Sequence, residues 1–508
     1  MAERWGRRPQ GRTGTQTDLM IKAFKIPTTV LCVIVALLSL AEILDGTKFE
    51  FVAFMAGTLV CVGITYNILG GISSISGIAF ATFAGSTIAI SQFAKVFFWE
   101  AADKLLESAQ LTIRVYFVFY LCVMIGTFVY SGLRIRLPRP LEPETEGQAN
   151  VQYTISLLVG FVASLTYEIY ESSPNLAERA TTAHSLGLAF STLLLFSVVL
   201  AVQGRIRSTG GRHSFGMKAL VPWLATVFFG YTETSRAHII LPSVVYAFTC
   251  YASGYRFRRK HYLAGAAGVA VFMLVISPFE IYARGPMREL GFQGRISEGY
   301  RLVTSLPEWT TVTAASMGGA QSGSREEYYE RPGTFVLSRL SAIRADSNMI
   351  NACEGGFRYG FTALKIDFLR SMPRFISKNK PEIDGAAYTG RVTGVNSDEV
   401  VDQETVITAI SDSFGAFGWL GVVVVSLIGF PTLFILYESM FDIRKPWGIV
   451  ATGGLCFQFS QASMSGIINL MIRAPLAILL LSYLVGVLVR MVPVRGDEIL
   501  DFEQEAAV

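Results

Sequence analysis

Apolar residues run along this chain in long blocks separated by short polar turns. Twelve blocks approach the roughly 20 mostly apolar residues that a helix needs to cross a bilayer. They lie near 26–44, 50–69, 75–97, 111–131, 151–169, 184–204, 217–232, 237–255, 262–281, 417–437, 447–463 and 473–491. The Gly- and Ser-rich block 75–97 and the short pair 217–232 and 237–255 fit the length rule least well. Backbone groups inside a bilayer must bond within the chain, so each block predicts an α-helix.

One polar stretch breaks the pattern. Residues 282–416 form a 135-residue connection between the ninth and tenth blocks. Its apolar positions still recur at helical spacing. In Phe335 to Asp346, Val336, Leu340 and Ile343 stand at i, i+4 and i+7, which predicts a helix. Arg339 and Asp346 are seven apart on it and share a face, with Arg344 turned about 140° from Arg339. In Phe361 to Met372, Phe361, Leu364, Phe368 and Met372 make a second stripe, expected to pack on the membrane helices. Pro373 stops that helix. The connection therefore reads as a small, partly helical unit.

Composition agrees with a membrane protein. The 508 residues are 51% hydrophobic and 16% charged, against about 25% charged in soluble domains. Mean hydropathy is +0.44. A single soluble domain, a disordered chain and a disulfide-stapled secreted fold are excluded. The net charge of +4 is too small for a nucleic-acid binder. Its distribution sets an orientation. With the N-terminus in the cytoplasm, 21 Lys and Arg fall on inside segments and seven on short outside ones. Both termini are then cytoplasmic and 282–416 lies outside. That loop holds 15 Lys and Arg against 16 Asp and Glu, so charge does not hold it inside. The first apolar run is too long for a cleavable signal peptide and lacks a small-residue cleavage site.

The expected organisation is an all-α polytopic membrane protein. Residues 1–25 form a cytoplasmic tail, 26–281 carry nine spans and 282–416 make the large outer loop. Residues 417–491 carry three more spans, and 492–508 form an acidic cytoplasmic tail. Five cysteines lie in spans and Cys353 is alone in the outer loop, so no disulfide forms within that loop.

Motif absences narrow the chemistry. There is no GxxxxGK[ST] for ATP hydrolysis, no HExxH and no GxSxG. The Gly-rich run Met317 to Ser324 lacks a lysine and reads as a loop. The first outer turn, Asp45-Gly46-Thr47, has no paired acids to hold a metal, and no metal or cofactor is expected. A transporter is a natural alternative for twelve spans, but Glu42, Glu168, Glu280 and Glu438 lie near span ends. The deep amides Asn67, Gln92 and Gln458 read as links between helices.

The remaining candidates are cations. Arg339 and Arg344 stand on the first loop helix, as a solvated face or as an anion site. Arg374, Lys378 and Lys380 lie in a Pro-punctuated basic stretch, as a solvated loop or a phosphate cradle. Arg236 opens the eighth block and Arg473 the twelfth. An unpaired Arg in hydrocarbon is costly. These two either reach the outer headgroups or face a shared cavity. Asp398, Glu399, Asp402 and Glu404 lack calcium-loop spacing and read as a surface loop.

From Arg236 onward the chain resembles the Wzy-type O-antigen and oligosaccharide repeat unit polymerases. The resemblance rests on Arg236 at the start of a span, a basic inside loop and one large outer loop. That loop contains Pro373-Arg374, Lys380-Pro381 and Gly385, and Asp412 to Gly421 then runs into a span. It covers about 236–437. It implies a GT-C-like helical fold in the bacterial inner membrane. It also implies metal-independent transfer of a glycan from one undecaprenyl diphosphate to the repeat unit on another, in the company of a flippase and a chain-length regulator. In such a reaction Arg236, Arg339, Arg344, Arg374, Lys380 and Arg473 are the candidates to hold the leaving diphosphate. A carboxylate accepts the attacking hydroxyl's proton. Asp346 comes first for that role, then Glu354 beyond the helix end and Asp412 at the start of the tenth span. Arginines beside Asp346 should lower its pKa. The O-antigen ligases are the nearest rival, but they imply a His in the large loop, and 282–416 has none. A flippase or carrier of lipid-linked glycans is the other alternative.

Overall fold

The computed structural model describes residues 25–97, 99–104, 106–133, 135–173, 182–233, 235–276, 290–305, 342–372, 407–459 and 463–492, with isolated positions between 279 and 287 and between 381 and 392. Regular structure among these residues is helical, with no strands. The first nine helices are α1 (Thr28–Leu44), α2 (Phe49–Ile68), α3 (Ile75–Phe97), α4 (Ala109–Tyr130), α5 (Glu146–Glu171), α6 (Thr182–Ser208), α7 (Met217–Thr232), α8 (Arg236–Ala252) and α9 (Arg259–Val271). The long polar connection contributes α10 (Phe292–Thr304), α11 (Ile343–Glu354), α12 (Thr362–Ser371) and α13 (Ala409–Phe417). Then come α14 (Trp419–Met440), α15 (Pro446–Phe459) and α16 (Met464–Met491).

Every one of the twelve apolar blocks contains a helix. Seven of them, α2 to α6, α14 and α16, are long and apolar enough to cross a membrane, and α1 and α8 are shorter apolar helices. The chain is a helical membrane protein.

The centre of the bundle is aromatic. The Phe83 ring on α3 lies 5.0 Å from Phe430 on α14 and 5.7 Å from Phe459 on α15. Phe119 on α4 reaches Phe430 at 5.2 Å. All four are fully buried. The half-buried Asn67 ties α2 to the start of α1, donating to the Ile26 carbonyl at 2.7 Å and accepting from its N–H at 2.9 Å. Both α3 and α14 contain a π-helical turn, Gly85–Ala89 and Val425–Gly429.

Glycine sets the spacing of α5 and α6. A Cβ on Gly160 would stand 2.7 Å from the Leu194 backbone nitrogen, and one on Gly187 3.0 Å from the Ala163 carbonyl oxygen. Small residues permit such close approach between membrane helices. Gly160→Ala should push the pair apart and cost about 1–3 kcal/mol. Thermal unfolding in detergent checks this. An unchanged melting point would mean the interface is looser than its geometry.

The long polar connection is tied by backbone and side chains to α13, which runs directly into α14. Tyr359 and Gly360 donate their N–H groups to the Gly415 and Ala416 carbonyls at 3.3 and 3.2 Å. The Arg358 guanidinium lies 4.8 Å from the Phe414 ring centre. Gly418, with φ of +63°, lets the chain leave α13 and start α14 at once.

The expected helix over 335–346 lies mostly outside the described residues, which resume at 342, and so does the shared face of Arg339 and Asp346. Two expectations need correction. The Phe361 stripe is turned outward in part. Phe361 is 72% exposed and Phe368 44%, while Ala363 is the buried residue of α12. A ten-residue helix offers one face to α16, and the small alanine brings it closest. Finally, α16 begins at Met464, so Arg473 does not open it. Ser463 caps that helix by accepting the Gly466 N–H at 3.2 Å. Arg473 thus stands nine residues inside, about 14 Å along the axis at about 1.5 Å per residue.

Candidate functional site

A cavity of about 320 Å³ opens between α5, α6, α7, α8, α15 and α16. Most of its wall is aliphatic and aromatic. Against that wall stand Tyr167 and Glu168 from α5, Glu233 at the end of α7, His238 from α8, and Asn469 and Arg473 from α16. Gln458 of α15 also lines it.

The chain builds the acidic side through a tight turn. Glu233 closes α7 with its N–H on the Phe229 carbonyl at 3.0 Å, and Ser235 N–H returns to Gly230 at 2.9 Å. A Cβ on Gly230 would stand 2.8 Å from the Ile239 nitrogen, so only glycine lets α8 come back this closely. Ser235 caps α8 by accepting the His238 N–H at 3.4 Å. The turn thereby pairs His238 Nδ1 with Glu233 Oε2. Tyr167 donates its hydroxyl to Glu233 Oε1 at 3.1 Å. Above it, His184 Nε2 pairs with Glu171 Oε2 at 2.8 Å, and the His184 ring stacks on Tyr167 at 4.9 Å.

Glu168 differs from these acids. It is 1% exposed, and its Oε2 has no hydrogen-bond partner. Arg295 on α10 lies within electrostatic reach of it. Arg295 is itself buried, with Nε on the Leu290 carbonyl at 3.1 Å and Nη1 on the Thr232 carbonyl at 3.3 Å. A helix of the long polar connection therefore places a cation over the end of α7.

Arg473 is the cavity's own cation. It makes no hydrogen bond or ion pair with the described residues. Its charged neighbour is another cation, Arg370 of α12. Two guanidinium groups close together are an arrangement suited to a doubly charged anion.

The residues expected from the sequence are scattered. Arg473 lines the cavity, and Arg236 is the first residue of α8, beside it in sequence to His238. Arg344 does not line this cavity. It stands half-buried on α11, near the Lys95 ammonium at the outer end of α3. Arg339, Arg374 and Lys380 lie outside the described residues. The expected convergence of Arg344 with Arg473 is therefore absent, because α11 packs on α4 and α13 while Arg473 rides on α16.

The carboxylates expected as proton acceptors are built into the scaffold. Asp346 is fully buried. Its Oδ1 accepts the Thr408 N–H at 2.9 Å and the Ser411 hydroxyl at 2.5 Å. Its Oδ2 accepts the Tyr116 and Thr408 hydroxyls, both at 2.5 Å. Burial pushes its carboxyl above the ordinary range, while the Ser411, Thr408 and Tyr116 groups pull it back. The lowering expected from arginines is not what surrounds it. Asp412 is also buried, taking the Tyr359 hydroxyl on Oδ1 and the Met464 N–H on Oδ2 at 3.0 Å. Burial and the Asp412 charge hold the Tyr359 phenol well above its usual range, so it stays a donor. Glu354 is exposed and accepts the Ser108 hydroxyl at 2.7 Å. Asp346 thus accepts four hydrogen bonds, and Asp412 holds the Tyr359 hydroxyl and the Met464 N–H within the packed scaffold.

Sequence reasoning passed over Tyr167, Glu233, His238, Arg295 and Asn469. It noticed Glu168 and Gln458 but read the first as a span end and the second as a helix link. The available signal was the run of ionisable groups at the ends of neighbouring apolar blocks, which marks function by default. Within the described residues no group of three or more His, Cys, Asp or Glu is placed to hold a metal ion. The fold and site together define a helical membrane protein with a charged cavity among its helices. Comparison with protein-family models, curated proteins and solved structures yields no match.

Proposed function

We propose that this chain is a polymerase of lipid-linked oligosaccharide repeat units. It transfers a glycan from undecaprenyl diphosphate to another lipid-linked repeat unit at the periplasmic face of the bacterial inner membrane. The finer architecture in this reading is twelve spans of GT-C-like arrangement, with both termini cytoplasmic and 282–416 periplasmic. A flippase supplies the substrate and a chain-length regulator acts on the product.

The observation that carries the reading is Arg473, a cation with no counter-ion among the described residues, in a cavity flanked by outer-segment helices α10 and α12. As the glycosidic bond to the lipid breaks, negative charge grows on the diphosphate. A fixed cation near that position lowers the barrier. The driving force resides in the activated lipid, which accords with the missing nucleotide-binding motif. A ligase acting on lipid A-core would share this chemistry, with a different acceptor.

A carrier of lipid-linked glycans is the second reading. It is favoured by Glu168 and Glu233, acids held among membrane helices, where transporters keep theirs. One experiment separates the two. Purified protein in proteoliposomes receives lipid-linked repeat units extracted from native membranes. A polymerase releases undecaprenyl diphosphate and lengthens the glycan. Movement of intact lipid-linked glycan across the bilayer, with no bond broken, supports the carrier instead.

A further inference from the structure

The polymerase reading needs a group to take the proton of the attacking hydroxyl; Asp346 already accepts four hydrogen bonds, and Asp412 is buried against Tyr359 and Met464. We infer that Glu168 is that proton acceptor. This inference rests on the polymerase reading and assigns its missing part.

The argument is one of free lone pairs. Glu233 has both oxygens engaged, one by Tyr167 and one by His238. Glu171 holds His184. Glu168 alone among these cavity acids keeps a buried oxygen, Oε2, with no hydrogen-bond partner. A buried acceptor left unpaired costs about 1–3 kcal/mol. That cost is recovered when a hydroxyl donor enters the cavity. Charged groups face Glu168 from three sides: Glu171 on its own helix, Glu233 at the end of α7 and Arg295 on α10. Arg295 offsets part of the repulsion between the acids. In the same cavity Arg473 is the cation for the leaving group. Base and leaving-group cation are thus separate residues within one enclosure, which a displacement at carbon requires.

The step balances as follows. The acceptor hydroxyl oxygen forms a bond to the anomeric carbon. The bond from that carbon to the diphosphate oxygen breaks, and its electron pair leaves with the diphosphate. The hydroxyl proton passes to Glu168 Oε2 and then to water. Glu233, held by Tyr167 and His238, acts as a positioning residue beside it.

Glu168→Gln tests this, because it keeps shape and removes the proton acceptor. The assay is undecaprenyl diphosphate release in proteoliposomes charged with lipid-linked repeat units from native membranes. General-base loss costs about 10²–10⁴-fold. We expect kcat to fall at least about a hundredfold, with KM for the lipid-linked substrate within about threefold of the parent. Glu168→Asp should recover part of kcat. Activity of Glu168→Gln within about threefold of the parent overturns the inference. If Glu168→Gln does not fold, the Glu168→Asp variant decides: a fall in kcat alone supports the role, and a change in KM alone overturns it. Failure of the polymerase reading looks different, since the parent protein then releases no undecaprenyl diphosphate at all.

Discussion

Asp346→Ala should loosen the outer segment from the membrane bundle at a cost of about 2–6 kcal/mol. Four donors converge on this carboxylate: the Tyr116 hydroxyl of α4, the Thr408 N–H and hydroxyl, and the Ser411 hydroxyl of α13. Its removal leaves them buried without an acceptor. Ser411 has a fallback in the Thr408 carbonyl at 3.3 Å. The Tyr116 hydroxyl and the Thr408 N–H lose their bonds outright, at about 1–3 kcal/mol each. The effect should be local at first, because Asp346 links elements that meet nowhere else in sequence. Limited proteolysis of the detergent-solubilised protein should cut within α11 and α12 before the spans unfold. Glu354→Ala is the control. Its carboxylate is exposed, with a serine partner, and its replacement should move stability by no more than about 0.5 kcal/mol. Equal effects of the two substitutions would show that the buried network does not anchor the segment.

The helices were legible because a bilayer leaves the backbone few choices. Apolar length alone located a helix in each of the twelve blocks, down to the short pair α7 and α8. Their ends were less legible. The twelfth apolar block begins at Arg473, yet α16 starts at Met464 and holds Pro475 inside it. Of the two places open to Arg473, headgroups or a cavity, it stands on the cavity wall. The surroundings of the acids were less legible too. Asp346 was a candidate for lying two residues from Arg344, and Asp412 for standing at the entry to α14. Burial and neighbouring hydroxyls from α4 and α13 decide what they do, and those contacts join residues 230 or 62 positions apart. Glu233 and His238 are only five apart, but their pairing depends on the turn that Gly230 permits. No spacing rule for helices or strands encodes such a turn.

Arg473→Ala should abolish most transfer while leaving the fold as stable as before, or more so. Arg473 is an exposed residue of α16 at the cavity wall, so its charge does not depend on a partner acid. Arg473 has none among the described residues, and Arg370 beside it adds repulsion. Removing it therefore breaks no bond to a described residue. Under the proposed function, what disappears is the cation for the leaving diphosphate. Deleting one preorganised donor to a developing anion costs about 2.7–4 kcal/mol, or about 10²–10³ in kcat. Arg473→Lys should restore only part, because a lysine keeps the charge and loses the two-pronged geometry. Added undecaprenyl diphosphate should raise the melting point of the parent and not of Arg473→Ala, since a ligand stabilises only the state it binds. Arg344→Ala, on α11 and away from the cavity, should keep kcat within about threefold. Loss of transfer in Arg344→Ala with full activity in Arg473→Ala would place the diphosphate beside Lys95 and α11, and the cavity between α5 and α16 would not be the site of transfer.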